Sequence, residues 1–149
     1  MAGYSNTPLV KKLGIKPGHR LALLDAPDGF DETLGALPAD VAVVRQLRAP
    51  CDVLVFFTKS RVRLQKQFLR LKHNLDPSGG LWIAWPKKAS GVATDVAENV
   101  IRDLALANGL VDNKVCAIDD TWSGLRLVVR LQDRPRTTID LRPPPATST

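Results

Sequence analysis

The stretch Asp52-Val53-Leu54-Val55-Phe56-Phe57, followed by a helical pattern from Ser60 to about Leu75 and then by Asp76-Pro77-Ser78-Gly79-Gly80-Leu81-Trp82-Ile83-Ala84-Trp85, decides the fold. Its two apolar runs lack polar alternation, the mark of strands covered on both faces in a parallel sheet. Between them Leu64, Phe68, Leu71 and Leu75 recur at helical spacing, while Arg63, Lys66, Arg70 and Lys72 fall off that stripe. The spacing predicts an amphipathic helix capped by Ser60. Strand, helix and strand in that order make one parallel crossover unit.

Working upstream, His19-Arg20-Leu21-Ala22-Leu23-Leu24 reads as another buried strand that stops at Asp25-Ala26-Pro27-Asp28-Gly29. A brief helix from Phe30 to Gly35 and a short strand, Val41-Ala42-Val43-Val44, follow. The link from that strand to Asp52 is too short for an ordinary parallel crossover. Either the two strands are antiparallel, or the earlier one is a stub at the sheet edge. Downstream, Asp95-x-x-Glu98 resembles a capping box for a helix that carries Val96, Val100, Leu104 and Ala107 on one face and stops at Asn108-Gly109. Lys114 to Ile118 and Leu125 to Leu131 are separated by a six-residue turn, so they read as an antiparallel pair.

The expectation is therefore a single α/β domain over residues 19–132. It is a three-layer, doubly wound, mostly parallel, Rossmann-like sheet with an antiparallel last strand. Residues 1–18 form a lead-in with a short helix from Thr7 to Leu13, and residues 133–149 form a tail with too little apolar surface to offset the entropy of ordering.

Composition excludes several classes. No apolar run approaches the roughly 18 residues of a membrane span, and the first residues lack a basic and apolar leader, so the expected address is cytoplasmic, with no membrane partner. Cys51 and Cys116 sit in apolar runs without a CxxC pair, and His19 and His73 are remote from each other, so no metal centre is expected. A net charge of +6 and a pI near 9.7 suit a phosphate-bearing partner. The 21 basic residues are nevertheless scattered, and the basic helix from Arg61 to Lys72 has no interleaved aromatics. Nucleic acid is accordingly the least favoured partner.

From Asp52 onward, the strand, the amphipathic helix, the turn Leu75-x-Pro77-x-Gly79-Gly80 and the antiparallel final pair together resemble the second half of class I, S-adenosylmethionine-dependent methyltransferases. The resemblance implies a methyltransferase-like architecture. Such enzymes carry a glycine-rich loop after the first strand and an acidic residue at the end of the second. Here Asp25 to Phe30 holds one glycine and Pro27, and the second strand ends at Arg45, so no cofactor is expected. Segments such as Lys12-Leu13-Gly14-Ile15-Lys16-Pro17-Gly18, Trp85-Pro86-Lys87-Lys88-Ala89-Ser90-Gly91 and Thr121-Trp122-Ser123-Gly124-Leu125 also resemble a family of small bacterial proteins, a likeness that implies no activity.

Ligands of open parallel sheets bind beyond the carboxyl ends of the strands. That rule nominates Asp25, Phe30, Lys59, Ser60, Trp85, Lys87, Lys88, Ser90, Asp119, Thr121 and Trp122 as a candidate cleft. Lys87 and Lys88 supply charge, Ser90-Gly91 supply a hydroxyl and backbone N–H groups, and Trp85 and Trp122 supply indoles that could share a pocket. The function expected is a non-catalytic binding or regulatory module for an anionic small molecule or a protein partner. The alternative is a small enzyme with Asp25, Asp119 or Asp120 as acid or base. Oligomeric state stays open.

Overall fold

A computed structural model describes residues 7–133, so residues 1–6 of the expected lead-in and residues 134–149 of the expected tail lie outside the described residues. Six strands, β1 (Arg20–Leu24), β2 (Ala42–Val44), β3 (Cys51–Phe57), β4 (Leu75–Pro86), β5 (Leu110–Ala117) and β6 (Trp122–Val129), form one sheet in the order β2-β1-β3-β4-β6-β5. The first four are mutually parallel, and β6 runs antiparallel to both β4 and β5. Helices α1 (Leu9–Leu13), α2 (Phe30–Leu34), α3 (Arg61–His73) and α4 (Glu98–Ala107) cover the two faces.

Side-chain alternation along the buried strands divides the interior in two. Leu54 and Phe56 of β3 join Leu64, Phe68 and Leu71 of α3 and Ile101 and Ala105 of α4 in one core. Val53, Val55 and Phe57 join Leu13 of α1 and Phe30 and Leu34 of α2 in the other. Burying each such large side chain contributes about 1.5–3 kcal/mol, and helices on both faces make the three-layer α/β fold that the strand patterns predict. Trp82 lies fully buried in the second core, and its indole Nε1 donates to the Leu13 carbonyl at 3.0 Å. That bond fastens α1 to the middle of the sheet.

β2 settles the ambiguity left by its short link to β3. It pairs in parallel with β1, Arg20 opposite Ala42, and not with β3, so it is a three-residue stub at the sheet edge. The chain then returns across β1 in the six residues from Arg45 to Pro50, held down by Leu47, which is buried in the α3 and α4 core.

The turn Leu75-x-Pro77-x-Gly79-Gly80 proves to be an excursion within β4. Leu75 pairs with Cys51, and the ladder resumes at Gly80 opposite Val53, so residues 76–79 loop out against the single Asp52. Asp76 accepts from the backbone and hydroxyl of Ser78, at 2.9 and 2.7 Å. Gly79 passes so near β3 that a β-carbon there would overlap the Asp52 carbonyl. α3 therefore stops at His73, not Leu75, because Leu75 is needed as a strand residue; Ser60 caps the helix as expected, accepting from the Arg63 N–H at 3.1 Å.

The capping box predicted at Asp95 does not form. α4 begins at Glu98 after Ala97, and Asp95 instead accepts from the backbone N–H of Arg61 at 2.7 Å. Val96 is thus a buried loop residue, and counting the helix from it shifts the wheel by one position. Ile101 and Ala105 are the buried residues of α4, Leu104 packs partly buried against the same core as expected, and Ala107 is exposed. Gly109, at φ +80°, supplies the left-handed stop.

Candidate functional site

Because β1, β3, β4 and β5 point the same way, the loops after them share one edge of the sheet. Hydrogen bonds show how closely they are joined. Thr94 donates its hydroxyl to the Lys59 carbonyl at 2.7 Å, and Asp95 binds the Arg61 N–H, so the segment before α4 lies against the start of α3. The Lys87 N–H donates to the Thr121 carbonyl at 2.7 Å, joining the end of β4 to the hairpin between β5 and β6. Asp25 meets Arg63 of α3. The loops converge.

Their side chains do not form the pocket expected of them. Trp85 pairs with Ser123 and Pro86 with Trp122, so the two indoles project from opposite faces of the sheet. Trp85 is buried in the α3 and α4 core; Trp122 packs edge-on against Phe57 (5.2 Å between centroids, 86°) in the other. A shared aromatic pocket is excluded by strand alternation. Phe30 likewise belongs to the core, with its ring 4.9 Å from Phe57 at 70°.

Several polar candidates are engaged in local structure. Ser60 is the α3 cap. The Ser90 hydroxyl donates to the Lys87 carbonyl at 2.6 Å and accepts from the Val92 N–H at 3.2 Å, and the N–H groups of Ser90 and Gly91 close the same short turn. Asp119 accepts from the N–H groups of Thr121 and Trp122, both at 2.8 Å, and so shapes the hairpin. What remains at the rim is cationic: Lys59 and Lys88 are exposed, Lys87 is half-buried, and none of the three ammonium groups has an ion-pair partner among the described residues.

The crevice between the carboxyl ends of β1 and β3 is the point where strand order reverses, and where a Rossmann-like sheet binds its ligand. An ion pair bridges it. Arg63 donates through Nε and a terminal nitrogen to Asp25 at 2.9 and 2.6 Å and lies 5.9 Å over the Phe56 ring. Asp25 itself holds a left-handed φ of +57°. Beyond β2, Arg45 binds both oxygens of Asp31 at 3.0 Å beside a 270 Å³ hollow bounded by Ala26 to Glu32. An arginine thus stands where the resemblance implies an acid, and it is matched by an acid on α2. Sequence reading passed over Arg63 and Asp31, since a charge off the apolar stripe carries no sign of its partner.

Among the described residues no three His, Cys, Asp or Glu side chains cluster as a metal site, and no helix is long and apolar enough to cross a membrane. Burial raises both thiols above their ordinary range, with Arg20 drawing Cys51 partly back down and Lys114 and Lys12 doing so for Cys116.

No protein-family model and no curated protein sequence matches the chain. Among solved structures it is similar to a putative methyltransferase from Thermoplasma acidophilum, with a TM-score of 0.54 and 9% identity over 85% of this chain and 76% of that one. It is also similar to magnesium protoporphyrin IX methyltransferase from Synechocystis PCC 6803 with bound SAM, with a TM-score of 0.53 and 12% identity over 81% of this chain and 74% of that one. At such identities the likeness concerns architecture: the chain has the Rossmann-like fold of class I methyltransferases.

Proposed function

We propose that this chain uses a methyltransferase-like sheet as a binding or regulatory module rather than for methyl transfer, and that it takes an anionic ligand at the carboxyl rim. One observation carries the reading. The Asp25 and Arg63 pair bridges the crevice at the strand-order reversal, while Lys59, Lys87 and Lys88 on the joined loops beside it lack carboxylate partners among the described residues. Three ammonium groups on neighbouring loops attract phosphate or carboxylate without imposing a bidentate geometry.

A thermal-shift series on the full chain tests this, because a ligand that binds only the folded form raises the melting temperature. Nucleotides or acyl-coenzymes at about millimolar concentration are expected to stabilise the wild type, by an amount that Lys59→Gln, Lys87→Gln and Lys88→Gln together remove. S-adenosylmethionine is expected to give no shift. Stabilisation by S-adenosylmethionine but by none of the anions would reverse the reading in favour of a cofactor-binding enzyme.

A further inference from the structure

The six-residue link from Arg45 to Pro50 stands where a parallel crossover ordinarily spends a dozen or more residues, usually as a helix. It lies on the α3 and α4 side of the sheet, since Leu47 is anchored in that core and Val44 packs against it. No crossover helix lies between β2 and β3, and beside the link is a hollow of 380 Å³ lined by Arg20, Val44, Arg45, Gln46, Arg48 and Ala49. That volume falls within the range of small-molecule sites.

Among the described residues the lining includes three arginines and no acidic residue. Arg45 is neutralised from outside the hollow by Asp31. Arg48 is held by the neutral Gln46, whose Oε1 accepts from Nε at 3.1 Å and from a terminal nitrogen at 2.6 Å. This fixes the plane of the Arg48 fork without cancelling its charge. The Arg20 guanidinium has no ion pair among the described residues, and Asp52, which accepts from the Arg20 backbone N–H at 2.8 Å, is not part of the lining. Two positive charges are left, at least one of them on a fork already oriented, above a small apolar floor of Val44 and Ala49.

We propose that this hollow is a binding site for a phosphomonoester dianion. A dianion matches both uncompensated charges, whereas a single carboxylate leaves one unmet, and the planar guanidinium fork can donate to two phosphate oxygens at once. The site sits toward the amino end of β1, away from the lysines of the carboxyl rim, and it stands or falls separately from them.

Isothermal titration of the full chain with inorganic phosphate and with glycerol phosphate tests it, at low salt and about pH 7.5, where a phosphomonoester is a dianion. Saturable binding of both at one site is expected, weakened about tenfold by Arg20→Met and by Arg48→Met. Arg48→Lys should remain weakened, because an ammonium group cannot reproduce the fork. Lys66→Gln, which removes one positive charge from the exposed face of α3 outside the lining, should bind as the wild type does. All three arginines are exposed, so truncation leaves both cores intact, and matching melting curves verify this; should Arg48→Met fail to fold, Arg20→Met carries the test. Absence of saturable binding, wild-type affinity in Arg20→Met and Arg48→Met, or loss of binding in the lysine variant would each overturn the proposal. Equal affinity for dimethyl phosphate, a monoanion, would overturn the dianion assignment.

Discussion

Arg63 grips Asp25 with bonds of 2.9 and 2.6 Å, joining the first turn of α3 to the residue that follows β1, across the point where strand order reverses. Both side chains are about half exposed, so the pair adds little to stability by itself. Its consequence is spatial: it ties α3 to the end of β1 across the crevice.

Asp25 carries a left-handed backbone, so two effects can be separated there. Asp25→Gly removes the ion pair but relieves the backbone, whereas Asp25→Ala removes the pair and keeps a β-carbon in that conformation. Urea denaturation should place Asp25→Ala about 1 kcal/mol below Asp25→Gly. Equal midpoints would show that the loop relaxes to another conformation.

Gly79 and Gly80 stand side by side but face different neighbours. A β-carbon at 79 meets the backbone carbonyl of Asp52, whereas one at 80 meets the flexible end of Arg126. Gly79→Ala is therefore expected to cost about 2–3 kcal/mol. Gly80→Ala should cost less, since a side chain yields more readily than a strand. The reverse order in thermal melts would contradict the packing described for the β4 excursion.

Trp82→Phe removes the donor to the Leu13 carbonyl and leaves that acceptor buried. A loss of about 2–3 kcal/mol is expected from the unmet carbonyl together with the lost ring volume. Amide exchange of α1 should quicken more than that of α3, which packs on the other face. Uniform acceleration throughout the domain would argue against a specific role in fastening α1.

Asp119 shapes a hairpin by accepting two N–H bonds, a role that does not require catalysis. Asp119→Asn keeps an acceptor oxygen and should lower stability only slightly, while Asp119→Ala should cost about 1–2 kcal/mol. If both unfold the protein to the same degree, the charge rather than the acceptor matters.

The two thiols impose a pH dependence of known sign. Burial holds both above the ordinary value of about 8.5, so the folded chain keeps its protons after the unfolded chain has begun to lose them. Their contribution is complete below about pH 8 and diminishes as pH rises toward the folded values. Urea midpoints should fall between about pH 8 and 9.5, and fall less in Cys51→Ala with Cys116→Ala. An identical fall in that variant would assign the effect to other groups.

The sequence by itself determined the layers and most of the elements. Continuous apolar runs such as Leu21 to Leu24 and Leu81 to Trp85 have one low-energy outcome, burial on both faces of a sheet. The stripe of Leu64, Phe68 and Leu71 leaves one face of α3 to cover it. Those are short-range consequences of periodicity. The position of β2, the phase of α4 and the bridging of the crevice were decided only by tertiary structure. Each depends on partners far along the chain: Ala42 against Arg20, Asp95 against Arg61, Arg63 against Asp25. The two indoles show the reason most plainly. Pairing Trp85 with Ser123 and Pro86 with Trp122 sends them to opposite faces, and a shift of one residue in that register would reverse the side of every residue on β6. Local sequence specifies that a strand forms, but register belongs to the pair of strands.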